Sequence, residues 1–199
     1  MTQVRLNPAA SPTQGGIDEK QLLEQVRSGD TSGQRLFYER YVGYLTAICS
    51  RYIVDRDTVK DVLQESFIRI FGKIGEFEYR GEGSVRAWVR RIVVNDSLKA
   101  LRGAGRMKYV DDLPDDREDE EEEISGLPKI PPAVFQEMIR ELPDGYRAVF
   151  NLFVFEKKSH KEIAALLGIK EDSSASQFFR ARNTLAKKIK AYIKEHDYE

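Results

Sequence analysis

Residues 107–132 decide most of what this chain can fold into, because they cannot bury a core of their own. The segment holds 10 acidic side chains against 3 basic, with the run Glu118 to Glu123 at its centre and Pro128, Pro131 and Pro132 at its end. Like charges at this density repel, and few apolar groups are present to offset the entropy of ordering, so an extended tether is the expectation. It divides the 199 residues into two pieces, each of a size that supports one small core. Residues 17–106 carry 16 basic and 13 acidic side chains, and residues 133–199 carry 12 and 10. The net charge of −1 therefore hides two mildly basic flanks cancelled by an acidic middle. Residues 1–16, with Pro8, Pro12, Gly15 and Gly16 and no apolar period, read as a mobile tail.

Both flanks have helical spacing. A short helix with Leu22, Leu23 and Val26 ends at Gly29, and Asp30 or Thr31 caps a longer one carrying Leu36, Phe37, Tyr41, Tyr44, Leu45 and Ile48. Asp57 is the candidate cap of a third helix to Lys73, with Val59, Val62, Leu63, Ile70 and Phe71 as its core stripe. Ser84 caps a fourth, through about Arg102, with Val85, Trp88, Val89 and Ile92 inward. Beyond the tether, Val134 to Leu142 form an amphipathic helix broken by Pro143, and another runs from about Asp144 to Phe155. The expected fold class is all-α: two small helical domains, 17–106 and 133–199, joined by the flexible acidic linker 107–132, with the last four helices as one compact unit.

The end of the chain has the grammar of a helix-turn-helix. Ser159 and Glu162 form a capping box, Ile163, Ala164, Leu166 and Leu167 an apolar face, and Gly168 a left-handed stop. Asp172 or Ser173 is the next candidate cap, and Phe178, Ala181, Leu185, Ile189 and Tyr192 recur down a long second helix. Ser174, Ser176, Gln177, Arg180 and Lys187 are assigned to its other face, where small polar groups and arginines suit a duplex major groove. An ordinary helical hairpin with a solvated face has the same pattern.

Two further surfaces stand out. Asp61, Gln64 and Glu65 fall at i, i+3 and i+4 on the third helix, with Ile68 extending the patch; a solvated face looks alike. The loop Gly75–Gly83 displays Phe77, Tyr79 and Arg80, and the helix after it places Arg91, Asn95, Leu98 and Arg102 on one exposed stripe, with Lys99 beside them. Rings can stack on unpaired bases while basic side chains follow the backbone. Trp88 fits a core as well as a ligand.

Enzyme chemistry has no foothold. His160 and His196 lack a nucleophile partner, no phosphate-binding glycine loop occurs, and the acidic run lacks the spacing of a metal cage, so no cofactor or metal is expected. Cys49, the single cysteine, sits on an apolar stripe as a structural thiol. Without a signal peptide or a run long enough to span a bilayer, a soluble cytoplasmic protein with no direct membrane insertion is expected.

The order Asp61-x-x-Gln64-Glu65-x-Phe67, loop and Trp88 helix, Leu142-Pro143, then the helix-turn-helix, resembles the extracytoplasmic-function (ECF) sigma factors of bacterial RNA polymerase, over about residues 17–190. The resemblance implies a sigma factor that binds core RNA polymerase and directs promoter recognition, DNA melting and initiation; a helix-turn-helix regulator that is not a polymerase subunit is the alternative. It implies that residues 17–106 are the region 2 domain and 133–199 the region 4 domain. Asp61, Gln64, Glu65 and Ile68 would dock on core polymerase. Phe77, Tyr79, Arg80, Ser84, Arg91, Asn95, Lys99 and Arg102 would serve the −10 element. His160, Lys161, Ser173, Ser174, Ser176, Gln177, Arg180 and Arg182 would serve the −35 element. Core polymerase, promoter DNA and an anti-sigma factor are the implied partners.

Overall fold

The computed structural model describes residues 17–103 and 130–196, and every regular element among them is an α-helix. The acidic run and the N-terminal tail lie outside the described residues. The helices are α1 (Glu19–Arg27), α2 (Thr31–Tyr52), α3 (Arg56–Lys73), α4 (Ser84–Gly103), α5 (Pro132–Arg140), α6 (Asp144–Val154), α7 (His160–Leu167) and α8 (Glu171–His196).

Helix starts follow from side chains that serve orphan N–H groups. Asp18 accepts from Gln21 N, and Asp30 from Ser32 and Gly33 N. The cap of α3 is Asp55, not Asp57: its carboxylate accepts from Thr58 N at 2.8 Å, which leaves Asp57 inside the first turn, paired with Lys60. Ser84 is likewise the first helical residue of α4 rather than its cap, and its hydroxyl accepts from Arg80 N. Pro132, read with the linker, opens α5, where its missing N–H costs nothing. Ser159 and Glu162 form both bonds of the capping box, and Gly168 closes α7 at φ 71°. The next helix already begins at Glu171, so Asp172 and Ser173 are first-turn residues and not caps.

Helix α2 is the axis of the molecule. Phe37, Tyr41, Leu45, Ile48, Cys49 and Tyr52 are buried along it, meeting α1, α3 and α4 through residues such as Leu22, Val62, Ile70, Val85 and Val89. Each large side chain removed from water contributes about 1.5–3 kcal/mol, so this stripe alone outweighs any surface ion pair. Burial pushes the Cys49 thiol pKa up, against a weaker opposing bond from Ser97, as expected of a structural thiol.

The last four helices do not keep their apolar residues to themselves. Tyr146 and Phe150 of α6 join Met138, Leu142, Ala181, Leu185 and Ile189 in one core. Ala148, Val149 and Leu152 of the same helix, with Ile163 and Leu167 of α7, join the core built on α2. Polar groups stitch this seam. Arg147, 2% exposed, donates from two nitrogens to the Tyr52 carbonyl at 3.0 and 3.1 Å, and also to the Arg140 and Leu142 carbonyls and to Asp144. Asn151 donates to the Arg51 carbonyl at 2.9 Å, and Arg51 stacks on Phe155. Arg90 of α4 makes a bidentate pair with Glu156 and donates to the Phe155 carbonyl.

Candidate protein and nucleic-acid interfaces

Asp61, Gln64, Glu65 and Ile68 are all exposed on one face of α3, Ile68 at 66%. Gln64 and Ile68 line an apolar groove of about 720 Å³ between α2 and α3, together with Tyr38, Val42, Val54, Leu63 and Phe67 and the basic Arg56, Lys60 and, from α5, Arg140. Tyr38, Val54 and Ile68 are the exposed large hydrophobics among the described residues, and all three line this groove. The sequence reading missed Tyr38 and Val54. Their signal was an apolar residue off the buried stripe of α2 and one just past its end.

On α4, Arg91, Asn95, Lys99 and Arg102 are exposed at helical spacing, and Arg102 reaches the Leu166 carbonyl at 3.3 Å. Leu98, read as part of that stripe, is buried, because its position turns it onto the core with Leu101. The loop before α4 is ordered by its own contacts. Phe77 stacks on Trp88 at 4.7 Å and is half-buried, so the ring read as displayed is part of the loop's foundation. Tyr79 is half-buried against the same core, and Arg80 pairs with Glu78 at 2.9 Å. Gly81 (φ 109°) and Gly83 (φ 82°) turn the chain into α4.

The C-terminal surface departs further from expectation. Ser174 is fully buried and its hydroxyl meets His160 Nδ1 at 3.0 Å; His160 itself stacks on Phe153. Gln177, 7% exposed, points at Gly145, where an added Cβ would stand 2.9 Å from its Oε1. Both were assigned to the outer face. They lie instead on the inward stripe with Phe178, Ala181 and Leu185, where α6 and α7 approach closely enough to admit only small or flat polar groups. Lys161 is exposed, and Ser173, Ser176, Arg180 and Arg182 are half-exposed. At the α7 start, the Lys158 ammonium and the Ser159 backbone and hydroxyl hold the Glu162 carboxyl down to a pKa of about 2.

These surfaces are suited to macromolecular contact. No group of three or more His, Cys, Asp or Glu among the described residues is placed to hold a metal ion, and no described helix is long and apolar enough to cross a membrane.

Comparison with known proteins matches residues 37–107 to the family described as Sigma-70 region 2 and residues 133–185 to Sigma-70, region 4. The ECF RNA polymerase sigma-E factor of Haemophilus influenzae is 30% identical over 187 residues, covering 87% of this chain and 96% of that one. The RNA polymerase sigma-H factor of Pseudomonas aeruginosa is 26% identical, covering 89% and 96%. Among solved structures, that of CnrH in complex with the cytosolic domain of CnrY aligns with a TM-score of 0.46 and 23% identity, covering 85% of this chain and 96% of that one.

Proposed function

Given that the chain belongs to the extracytoplasmic-function sigma factors, and so directs promoter recognition and transcription initiation, we propose that it does this through three separate surfaces. Core polymerase docks on α3 at Asp61, Gln64, Glu65 and Ile68. The observation that carries this reading is the concentration of exposed apolar side chains beside an acidic face, in the segment matched to region 2. An exposed apolar groove favours an amphipathic partner over a solvated surface; its own charged lining, Arg56, Lys60 and Arg140, is basic, while Asp61 and Glu65 offer acidic contacts on the neighbouring face of α3.

The −10 surface is the α4 face of Arg91, Asn95, Lys99 and Arg102 together with the loop 75–83. Phe77 and Ser84 act there as supports, with Tyr79 and Arg80 nearer the DNA. The −35 surface is the start of α7 and α8, through Lys161, Ser173, Ser176, Arg180 and Arg182. Ser174, Gln177 and His160 hold that surface from beneath, so base preference rests on fewer side chains and more on DNA shape. The domains divide as 17–106 and 133–199, with an anti-sigma factor as the further protein partner. The protein supplies binding and strand opening, and the polymerase supplies the chemistry.

Run-off transcription with core polymerase tests the docking surface. Glu65→Lys is expected to lower holoenzyme assembly at least tenfold while duplex −35 binding by the free chain stays unchanged; equal loss of both would instead indicate damage to the fold. In the same system, Arg180→Ala is expected to reduce the salt slope of −35 binding by about one phosphate contact.

A further inference from the structure

We propose that α1 is a splint for the loop 75–83, and that Glu19 and Arg27 are positioning residues for strand capture at the −10 element. This rests on the reading of that loop as part of the −10 surface. Both residues precede the segment matched to region 2, which begins at residue 37.

The geometry is that of one rigid helix gripping both ends of one loop. At the first turn of α1, Glu19 Oε2 accepts from Gly83 N at 2.7 Å, and Oε1 accepts from Arg86 N at 3.3 Å. These N–H groups belong to the start of α4, whose Ser84 hydroxyl is engaged by Arg80 N. A carboxylate from a distant helix therefore takes the place of a local cap, where the helix dipole also favours negative charge. Glu19 is itself held by the Tyr41 hydroxyl of α2 at 3.0 Å. At the last turn of α1, Arg27 Nε donates to the Ile74 carbonyl at 3.1 Å and Nη2 donates to the Phe77 carbonyl, where the loop leaves α3.

Nine helical residues give a bar of about 13 Å, so the two grips are far enough apart to set the loop's span. The need for a splint follows from the loop's own sequence. Gly81 and Gly83 at positive φ give the free chain many competing shapes. Fixing both ends before DNA arrives lowers the ordering cost of holding an unpaired base. Phe77 on Trp88 then supplies a firm floor between the two grips.

The test uses full-length chain in holoenzyme and a duplex library with randomised −35 and −10 segments, the latter held as an unpaired bubble. Bound templates are sequenced. Wild type is expected to enrich a motif in each segment. Glu19→Ala and Arg27→Ala are expected to keep the −35 motif and lose enrichment of the bubble motif by about tenfold, the weight of one well-ordered contact. Glu19→Gln, which keeps an acceptor oxygen, recovers part of it. Bubble motifs enriched equally by wild type and both alanine variants overturn the inference. A wild type that enriches nothing in the bubble overturns the underlying −10 reading instead. Arg27 is exposed, so its variant carries the test even where Glu19→Ala lowers the melting temperature.

Discussion

Helices α1–α4 bury Phe37, Leu45, Val85 and Val89 against one another, whereas α5–α8 divide their apolar residues between a core of their own and the flank of α2. The first half closes on itself. The second half needs the first, because one face of α6 has nowhere else to go. Polarity follows the same division. The buried carboxylate of the first half, Asp96, is satisfied within it by Ser66 at 2.9 Å and by Arg69. The buried guanidinium of the second half, Arg147, spends two of its donors on a carbonyl of the other half. The second half therefore leans on the first more than the first on the second, and substitutions can be chosen to break the seam from either side.

The largest effect is expected from Arg147→Ala, which leaves buried carbonyls of both halves without a donor and should cost about 3 kcal/mol. Thermal unfolding followed separately at α2 and α8 should then split into two transitions, with α8 first; a single shared transition would show that the halves remain coupled without it. Asp96→Ala should cost somewhat less, about 2 kcal/mol, since Arg69 is partly exposed and can turn to water. Here both probes should move together, because the second half cannot outlast its support. Arg90→Ala removes the half-buried Glu156 pair and should cost about 1 kcal/mol, mostly as earlier separation of the halves seen by hydrogen exchange at α6.

The smallest effect is a pH dependence confined to the second half. The Glu162 carboxyl is depressed to about 2 from an ordinary value of 4.5. Its stabilising share is thus complete above about pH 4.5 and is lost as pH falls toward 2. Glu162→Gln should flatten the acid limb of α7 fraying in that window and leave α1–α4 untouched, as read by amide exchange. An unchanged acid limb would assign it to other carboxylates.

Element order was legible because helical spacing, caps and the Gly168 stop are local signals, and most boundaries fall within a residue or two. What failed was the assignment of polar residues to faces. Ser174 and Gln177 are inward because α6 brings Gly145 close and α7 brings His160, facts of tertiary approach that no single helix pattern contains. Leu98 erred in the opposite sense, an apolar residue assigned outward. The seam itself left one trace. Arg147 and Asn151 interrupt the apolar run of α6 one turn apart, and a charge inside such a run points to a buried acceptor. Glu19 and Arg27 carried no signal at all, since the loop groups they hold are backbone groups more than forty residues away.

The seam also bears on reach. Elements centred at −10 and −35 lie about 85 Å apart along a straight duplex, taking 3.4 Å per base pair. Helices α4 and α7 are close enough for Arg102 to touch the Leu166 carbonyl, so a chain that reads both elements at once does so with the seam parted. The 26 residues from 104 to 129 have a contour of about 90 Å, just enough to allow it. Parting returns Val149, Leu152 and Arg147 to water unless another surface covers them. On the −10 and −35 readings proposed above, each 1.4 kcal/mol of seam stability would lower the apparent affinity for both elements together about tenfold.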